Sequence, residues 1–242
     1  MHPEKLQAIV LSSTDYGDSD RIASLFSLEH GRLSGFARGA RNSRKRFGPA
    51  LETFARIEIH LLYKDGLSSL RHADVITVYP HIRNELVCIA HALYACELTE
   101  CITPEGQPLP RLYRLLTAYL ERLDAGHAGD VDRRFFELNL LNILGYRPSL
   151  EGCSHCGFIF TESDALMQQG GELVCRYCAV TGRHIAVQTL RGLLSCLSTG
   201  RFGLVQFSED GLLQAGALLD AAVAAHSGRK LKTLDFLRQT NG

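Results

Sequence analysis

The sequence predicts an α+β chain: a five-stranded barrel at the N-terminus, then an α-helical domain carrying a four-cysteine insertion. Three observations lead to this class. Over residues 6–78 apolar and polar residues alternate with the period of half-buried strands, and from residue 86 apolar residues recur at helical spacing. Tyr79-Pro80 marks the change of period. Within the helical part stand two cysteine pairs, Cys153-x2-Cys156 and Cys175-x2-Cys178, with eighteen residues between the pairs.

The strands follow in order. Leu6–Ser13 is a compact apolar run. Ile22, Ser24, Phe26 and Leu28 then alternate with Ala23, Leu25 and Ser27, and Glu29-His30-Gly31 turns the chain into a third strand over Leu33–Arg38. Ala55, Ile57, Ile59, Leu61 and Tyr63 form one face of a fourth, with Arg56, Glu58 and His60 on the other. Asp65-Gly66 is a hairpin signal, because glycine accepts the positive φ of a tight turn, and it leads into Leu67–Val78. Five short strands with a loop after the third suit a closed barrel such as an OB-fold. An SH3-like barrel has a similar strand count, and pattern alone does not separate the two.

Leu86, Ile89, Ala90, Leu93 and Leu98 fall on one helical stripe, and Leu112, Leu115, Leu116, Tyr119 and Leu123 on a second. Residues 103–108, with two prolines, break these helices apart. Arg133–Leu144 reads as a third helix, stopped by Gly145 as its C-cap. Helical spacing returns at Leu190, Leu193, Leu194 and Leu197, and again from Gly211 to His226. The expected domains are therefore 1–79 and 80–242, with the cysteine module inserted at about 150–183.

Two residues between cysteines let both thiolates of a turn reach one ion, and a second such turn completes a tetrahedron. Cys153, Cys156, Cys175 and Cys178 are thus expected to hold a structural Zn2+, since four thiolates leave no position for an activated water. His155, inside the first pair, could replace a cysteine ligand, but four cysteines already suffice; His184 is read as exposed polar surface, and Cys88, Cys96, Cys101 and Cys196 as core packing. With no signal-peptide pattern at the N-terminus and no long apolar run, a cytoplasmic protein without membrane segments is expected.

Lys+Arg and Asp+Glu balance at 26 each over 242 residues, but the charges are unevenly spread. No acidic residue lies between Glu29 and Glu52, where Arg32, Arg38, Arg41, Arg44, Lys45 and Arg46 all fall. Residues 81–152 compensate with ten acids against seven bases. A basic loop on a small barrel is the footprint of a nucleic-acid-binding surface, with a solvated surface loop as the plain alternative. Phe36 and Phe47 flank it as candidates for stacking on unpaired bases, or as ordinary core residues. Nucleotide-binding loops, zinc-protease helices and serine elbows are all missing from the sequence. Asp15, Asp18 and Asp20 form the one dense acidic cluster, beside a turn, and would be needed by the alternative reading of a nuclease-like DNA-processing enzyme. A pure protein-interaction scaffold is the third reading.

Beyond these patterns, Ala8-Ile-Val-Leu11, Asp15-Tyr-Gly-Asp-Ser-Asp-Arg-Ile22, His30-Gly-Arg-Leu33, Ala37-Arg-Gly-Ala-Arg41 and Leu51-Glu-Thr-Phe54 stand in order. Arg134-Phe-Phe-Glu-Leu138, Leu144-Gly-Tyr146 and Gly228-Arg-Lys-Leu-Lys-Thr-Leu-Asp-Phe-Leu237 continue the series. Taken with the cysteine pairs, the chain resembles the bacterial RecO family of DNA repair proteins from about residue 6 to 238. It departs at Thr233 and Asp235, where serine and glutamate are more usual. The resemblance implies an OB-fold, a helical domain with zinc module, and a nucleoid-associated recombination mediator that is not an enzyme. It implies binding of single- and double-stranded DNA, strand annealing, partnership with RecR, and help to RecA in replacing single-strand-binding protein (SSB). Arg134, with Arg133 beside it, matches a family arginine and is expected to meet the acidic SSB C-terminal tail. Arg229, Lys230 and Lys232 either contact DNA or belong to a final helix docked on the barrel, and Leu231, Leu234 and Leu237 favour docking.

Overall fold

The computed structural model describes residues 3–43, 45–64, 66–161 and 164–240. Two compact units emerge, Met1–His127 with Leu231–Gly242, and Ala128–Lys230.

In the first unit, β1 (Glu4–Tyr16), β2 (Asp20–Ser27), β3 (Gly31–Ala37), β4 (Arg56–Leu62) and β5 (Leu67–Thr77) close into a barrel of order β1-β2-β3-β5-β4. β3 and β5 run parallel, and β1 pairs antiparallel with both β2 and β4. This is OB-fold connectivity, and it settles the choice between barrel types. β1 serves two neighbours by dividing its length: Glu4–Ile9 pairs with β4 and Ala8–Tyr16 with β2. A register shift between Val10 and Ser12 bends the strand where it passes from one partner to the other. Ile57, Ile59, Leu61, Leu25 and Leu33 fill the interior, as the alternation predicts.

The compact apolar run in β1 has a tertiary cause. Ala8, Ile9 and Val10 are all fully buried, so both faces of the strand are covered. α2 (Leu86–Ile102) lies on the outer face, where Ser12 Oγ donates to Glu100 Oε1 at 2.9 Å. α2 is also where the helical stripe departs from the expectation. Leu86 is 58 % exposed, whereas His91, Ala95 and Cys96 are buried on other faces. The helix is wedged between β1, α1 (Pro80–Asn84), α3 (Pro110–Asp124) and α7 (Lys232–Thr240), so no single stripe describes its burial. Cys88 and Cys96 are buried as expected, and Cys101 is half-buried. Gly31 enters β3 at φ +68°, and a Cβ there would lie 1.8 Å from the Gln107 carbonyl oxygen. Only glycine lets the 103–108 segment cross so close to the hairpin.

The final helix docks, on α2 rather than on the barrel. Leu231 and Leu237 are buried, and Glu97 of α2 anchors the helix start. Its carboxylate accepts the backbone N–H groups of Lys232 and Thr233 at 3.1 and 2.8 Å, and the Thr233 hydroxyl at 2.6 Å. The first N–H groups of a helix have no partner within it, and a carboxylate there also complements the helix dipole. Thr233 keeps the hydroxyl of the usual serine, which explains why the departure is harmless.

The second unit contains α4 (Asp130–Leu144), a small sheet of order β7-β6-β8, α5 (Val187–Thr199) and α6 (Glu209–His226). The sheet strands are β6 (Ala165–Met167), β7 (Leu173–Val174) and β8 (Arg183–Ile185). Gly145 ends α4 at φ +79°, the left-handed cap expected for it. Cys196 is buried in α5.

Glu97→Ala is expected to cost about 1–3 kcal/mol, the range for donors left without their partner. Hydrogen exchange should show α7 amides losing protection while the barrel strands keep theirs.

Candidate metal centre and nucleic-acid interface

The two cysteine turns converge. One sulfur from each of Cys153, Cys156, Cys175 and Cys178 lies within 4.8 Å of the others, with Cys156 and Cys175 3.6 Å apart. Metal–sulfur bonds of about 2.3 Å in a tetrahedron would put sulfurs about 3.8 Å apart. The donor set therefore fits one ion, and none of the eight cysteines is in a disulfide. Each turn is built by backbone hydrogen bonds. Gly157 N donates to the Cys153 carbonyl at 2.9 Å, and Cys178 N to the Cys175 carbonyl at 3.0 Å. Burial resists ionisation of Cys153, but N–H groups of Cys156, Cys175 and His155 point at its sulfur and hold its pKa down at about 6. His155 instead reaches Glu172 at 3.2 Å and His184 reaches Asp164 at 2.6 Å, both on the surface.

The basic loop is partly assembled and partly committed to its own structure. Arg38, Arg41, Lys45 and Arg46 are exposed; Arg44 lies outside the described residues. Arg46 braces the loop, donating from Nη2 to the Arg38 carbonyl at 2.9 Å and from Nε to Ser43 Oγ at 3.0 Å. Arg32 is half-buried, and its Nε donates to the Thr103 carbonyl at 3.0 Å. That bond ties β3 to the 103–108 segment, a structural task. Phe47 is 2 % exposed and belongs to the barrel core, which removes it as a stacking platform. Phe36 is half-buried and meets Tyr16 edge-on at 6.0 Å. Tyr16, 58 % exposed, is the aromatic that the sequence reading missed. Continuing the alternation of β1 past Ser13 was the signal that could have found it.

Folding also returns acidic residues to a segment that has none in sequence. The β1–β2 turn lies against the loop, around a polar hollow lined by Asp15, Arg21, Arg41 and Glu52. Asp15 Oδ1 accepts from Arg21 Nε at 2.8 Å, and its other oxygen lies 3.4 Å from Arg41 Nε. The bond from Arg21, with the nearby Arg41 charge, keeps the Asp15 carboxyl below its usual range. Asp20 accepts the Gly39 N–H at 2.7 Å. These carboxylates hold the loop in place, and among the described residues Asp15, Asp18 and Asp20 do not converge as a metal-binding group.

In the second unit, Arg133 and Arg134 are buried, at 6 % and 5 % exposure. Arg133 pairs with Asp130 at 2.8 Å. Arg134 Nη1 contacts Glu137 at 2.7 Å and Asp220 at 2.5 Å. Burial works against its charge, but the two carboxylates outweigh that and hold it protonated more firmly than a free arginine. Arg134 thus lies in the floor of an open groove of about 490 Å³, not free at its lip. Arg183, Glu209, Leu212 and Leu213 complete the walls. Gly216 of α6 makes the room: a Cβ there would lie 2.9 Å from Arg134 Nη2.

A closed OB barrel followed by helices that carry a four-cysteine cluster of metal-binding geometry defines a protein of two parts, a barrel unit and a helical unit. Family models match along the chain as "Recombination protein O N terminal" at residues 1–79 and "Recombination protein O C terminal" at 83–235. The DNA repair protein RecO of Pelobacter propionicus is 61 % identical over 240 residues, covering 99 % of this chain and 98 % of that protein. RecO of Geobacter sulfurreducens is 52 % identical, with 99 % of both chains covered, and that of Geobacter metallireducens 49 %, with 99 % and 98 % covered. The chain belongs to the RecO family of DNA repair proteins. No helix among the described residues is long and apolar enough to cross a membrane.

Gly216→Ala is expected to destabilise the protein by about 1–3 kcal/mol, the range for overpacking. An exposed helical glycine changed to alanine would instead gain up to about 1 kcal/mol. The sign of the change in denaturant midpoint tests whether Arg134 is held flat against α6.

Proposed function

We propose that the chain is a non-enzymatic recombination mediator whose barrel binds single- and double-stranded DNA without reading sequence. The exposed cations of the β3–β4 loop carry this reading. Arg38, Arg41, Lys45 and Arg46 project from one segment, where they can neutralise several phosphates at once and release their counterions. Annealing follows from the same physics, because a cationic surface lowers the repulsion between two polyanionic strands. Family membership supports the finer role: acting with RecR to help RecA replace SSB, in the cytoplasm at the nucleoid. Tyr16 and Phe36 add a stacking edge suited to unpaired bases. The bonds of Asp15 to Arg21 and of Asp20 to the Gly39 N–H weigh against the nuclease-like alternative.

The four-cysteine centre is read as structural Zn2+, with all positions filled by sulfur. The groove on α4 and α6 is the proposed seat of the SSB tail. An incoming carboxylate would compete with Asp220 for Arg134, and Arg183, exposed on β8, offers a second cation. Arg133 contributes by positioning, through its pair with Asp130.

Charge reversal of Arg38, Arg41 and Lys45 together is expected to weaken DNA binding. It should lower the salt-dependence slope by about 2–3, at about 0.7–0.9 per phosphate contact. Asp15→Asn should act oppositely, strengthening binding by releasing Arg41 and Arg21. Fluorescence anisotropy across a salt series reads both, and unchanged slopes would remove the loop from the interface. Cys153→Ser is expected to lose zinc and the protection of β6–β8, with the barrel intact by hydrogen exchange. Retained stoichiometric zinc would exclude the four-cysteine assignment.

A further inference from the structure

We propose that the outer face of the barrel carries a second divalent-metal site, formed by Glu58, His60 and Asp74 and supported by His72. β4 and β5 pair so that Glu58 lies opposite Asp74 and His60 opposite His72. Strand side chains alternate between faces, so these four make a rectangle on the side away from Ile57, Ile59, Leu61 and Ala73, which face the core. One ligand atom from each of Glu58, His60 and Asp74 lies within 4.8 Å of the others. His72 Nε2 is 2.9 Å from Asp74 Oδ1, and its ring meets that of His60 edge-on at 5.9 Å. A histidine bonded to a ligating carboxylate orients it toward the ion.

The donors select the ion. One imidazole nitrogen with two carboxylates suits zinc and its neighbours in the first transition row, whereas magnesium takes oxygen ligands and keeps its water. The electrostatics also favour a cation here, since like charges directly opposite on paired strands repel. Two groups stand against these carboxylates. Lys5 Nζ lies 2.7 Å from Glu58 Oε1, and His72 holds Asp74. Lys5 comes from β1, opposite His60, and its side chain is 60 % exposed. An ion bound between the two carboxylates displaces that exposed ammonium, so Lys5 and the metal compete for Glu58.

Calorimetric titration of Zn2+ into the full chain, with its four-cysteine centre already loaded, tests the site. One further equivalent is expected, lost in His60→Ala and in Asp74→Asn. His72→Ala should weaken it about 10–100-fold, as for other residues that orient ligands. Lys5→Ala should tighten it, an effect that incidental surface binding would not show. These side chains face solvent, and an unchanged far-UV spectrum verifies that each variant keeps its barrel. His155 with Glu172 and His184 with Asp164 are the rival histidine–carboxylate pairs. Absence of a further equivalent overturns the proposal, as does one that survives His60→Ala but disappears in His155→Ala or His184→Ala.

Discussion

β1 is shared between two strands, and much of the first unit is arranged by that sharing. Its first half closes the barrel against β4, its second half pairs with β2, and the shift between Val10 and Ser12 bends it from one to the other. Closure removes the free sheet edges that would otherwise pair with other chains. The extended second half carries Asp15 and Tyr16 to the rim, beside the loop that follows β3. Where the two halves join, the outward Ile9 is fully buried, and Ser12 just beyond it bonds to Glu100 of α2. The basic loop, its acidic counterweight and the packing of α2 therefore trace to one strand.

Charge in this protein is handled by pairing wherever it approaches the interior. Glu97 is buried because it serves the start of α7, and Arg134 because Glu137 and Asp220 flank it. Removing one member of such a set leaves an uncompensated buried charge, so these groups act as fixed points of the two units. Asp15 shows the same principle at the surface, where it costs little and sets how firmly Arg41 is held. In the four-cysteine module the four sulfurs stand close enough together to share a single ion.

Several elements were legible from local pattern. The alternation of Ile57, Ile59 and Leu61 announced a strand, Gly145 announced a helix end, and the cysteine spacing announced a single cluster of sulfurs. Phe36 and Phe47 looked equivalent in sequence, yet Phe47 turns into the core and Phe36 lies at the rim beside Tyr16. The stripe through Leu86 and Leu93 seemed to mark the buried face of α2, but four elements surround that helix.

Sequence alone determined the secondary-structure types, the sulfur ligands and the family, because periodicity, short-range spacing and ordered motifs are local properties of the chain. Tertiary structure decided the closure order of the barrel and placed the acids of the β1–β2 turn beside the basic loop. It also buried Arg134 and brought Glu58, His60, His72 and Asp74 onto one face. Each of these depends on which distant segments meet. Strand pairing and helix packing set those meetings, and the electrostatics of a site follow from neighbours in space rather than along the chain.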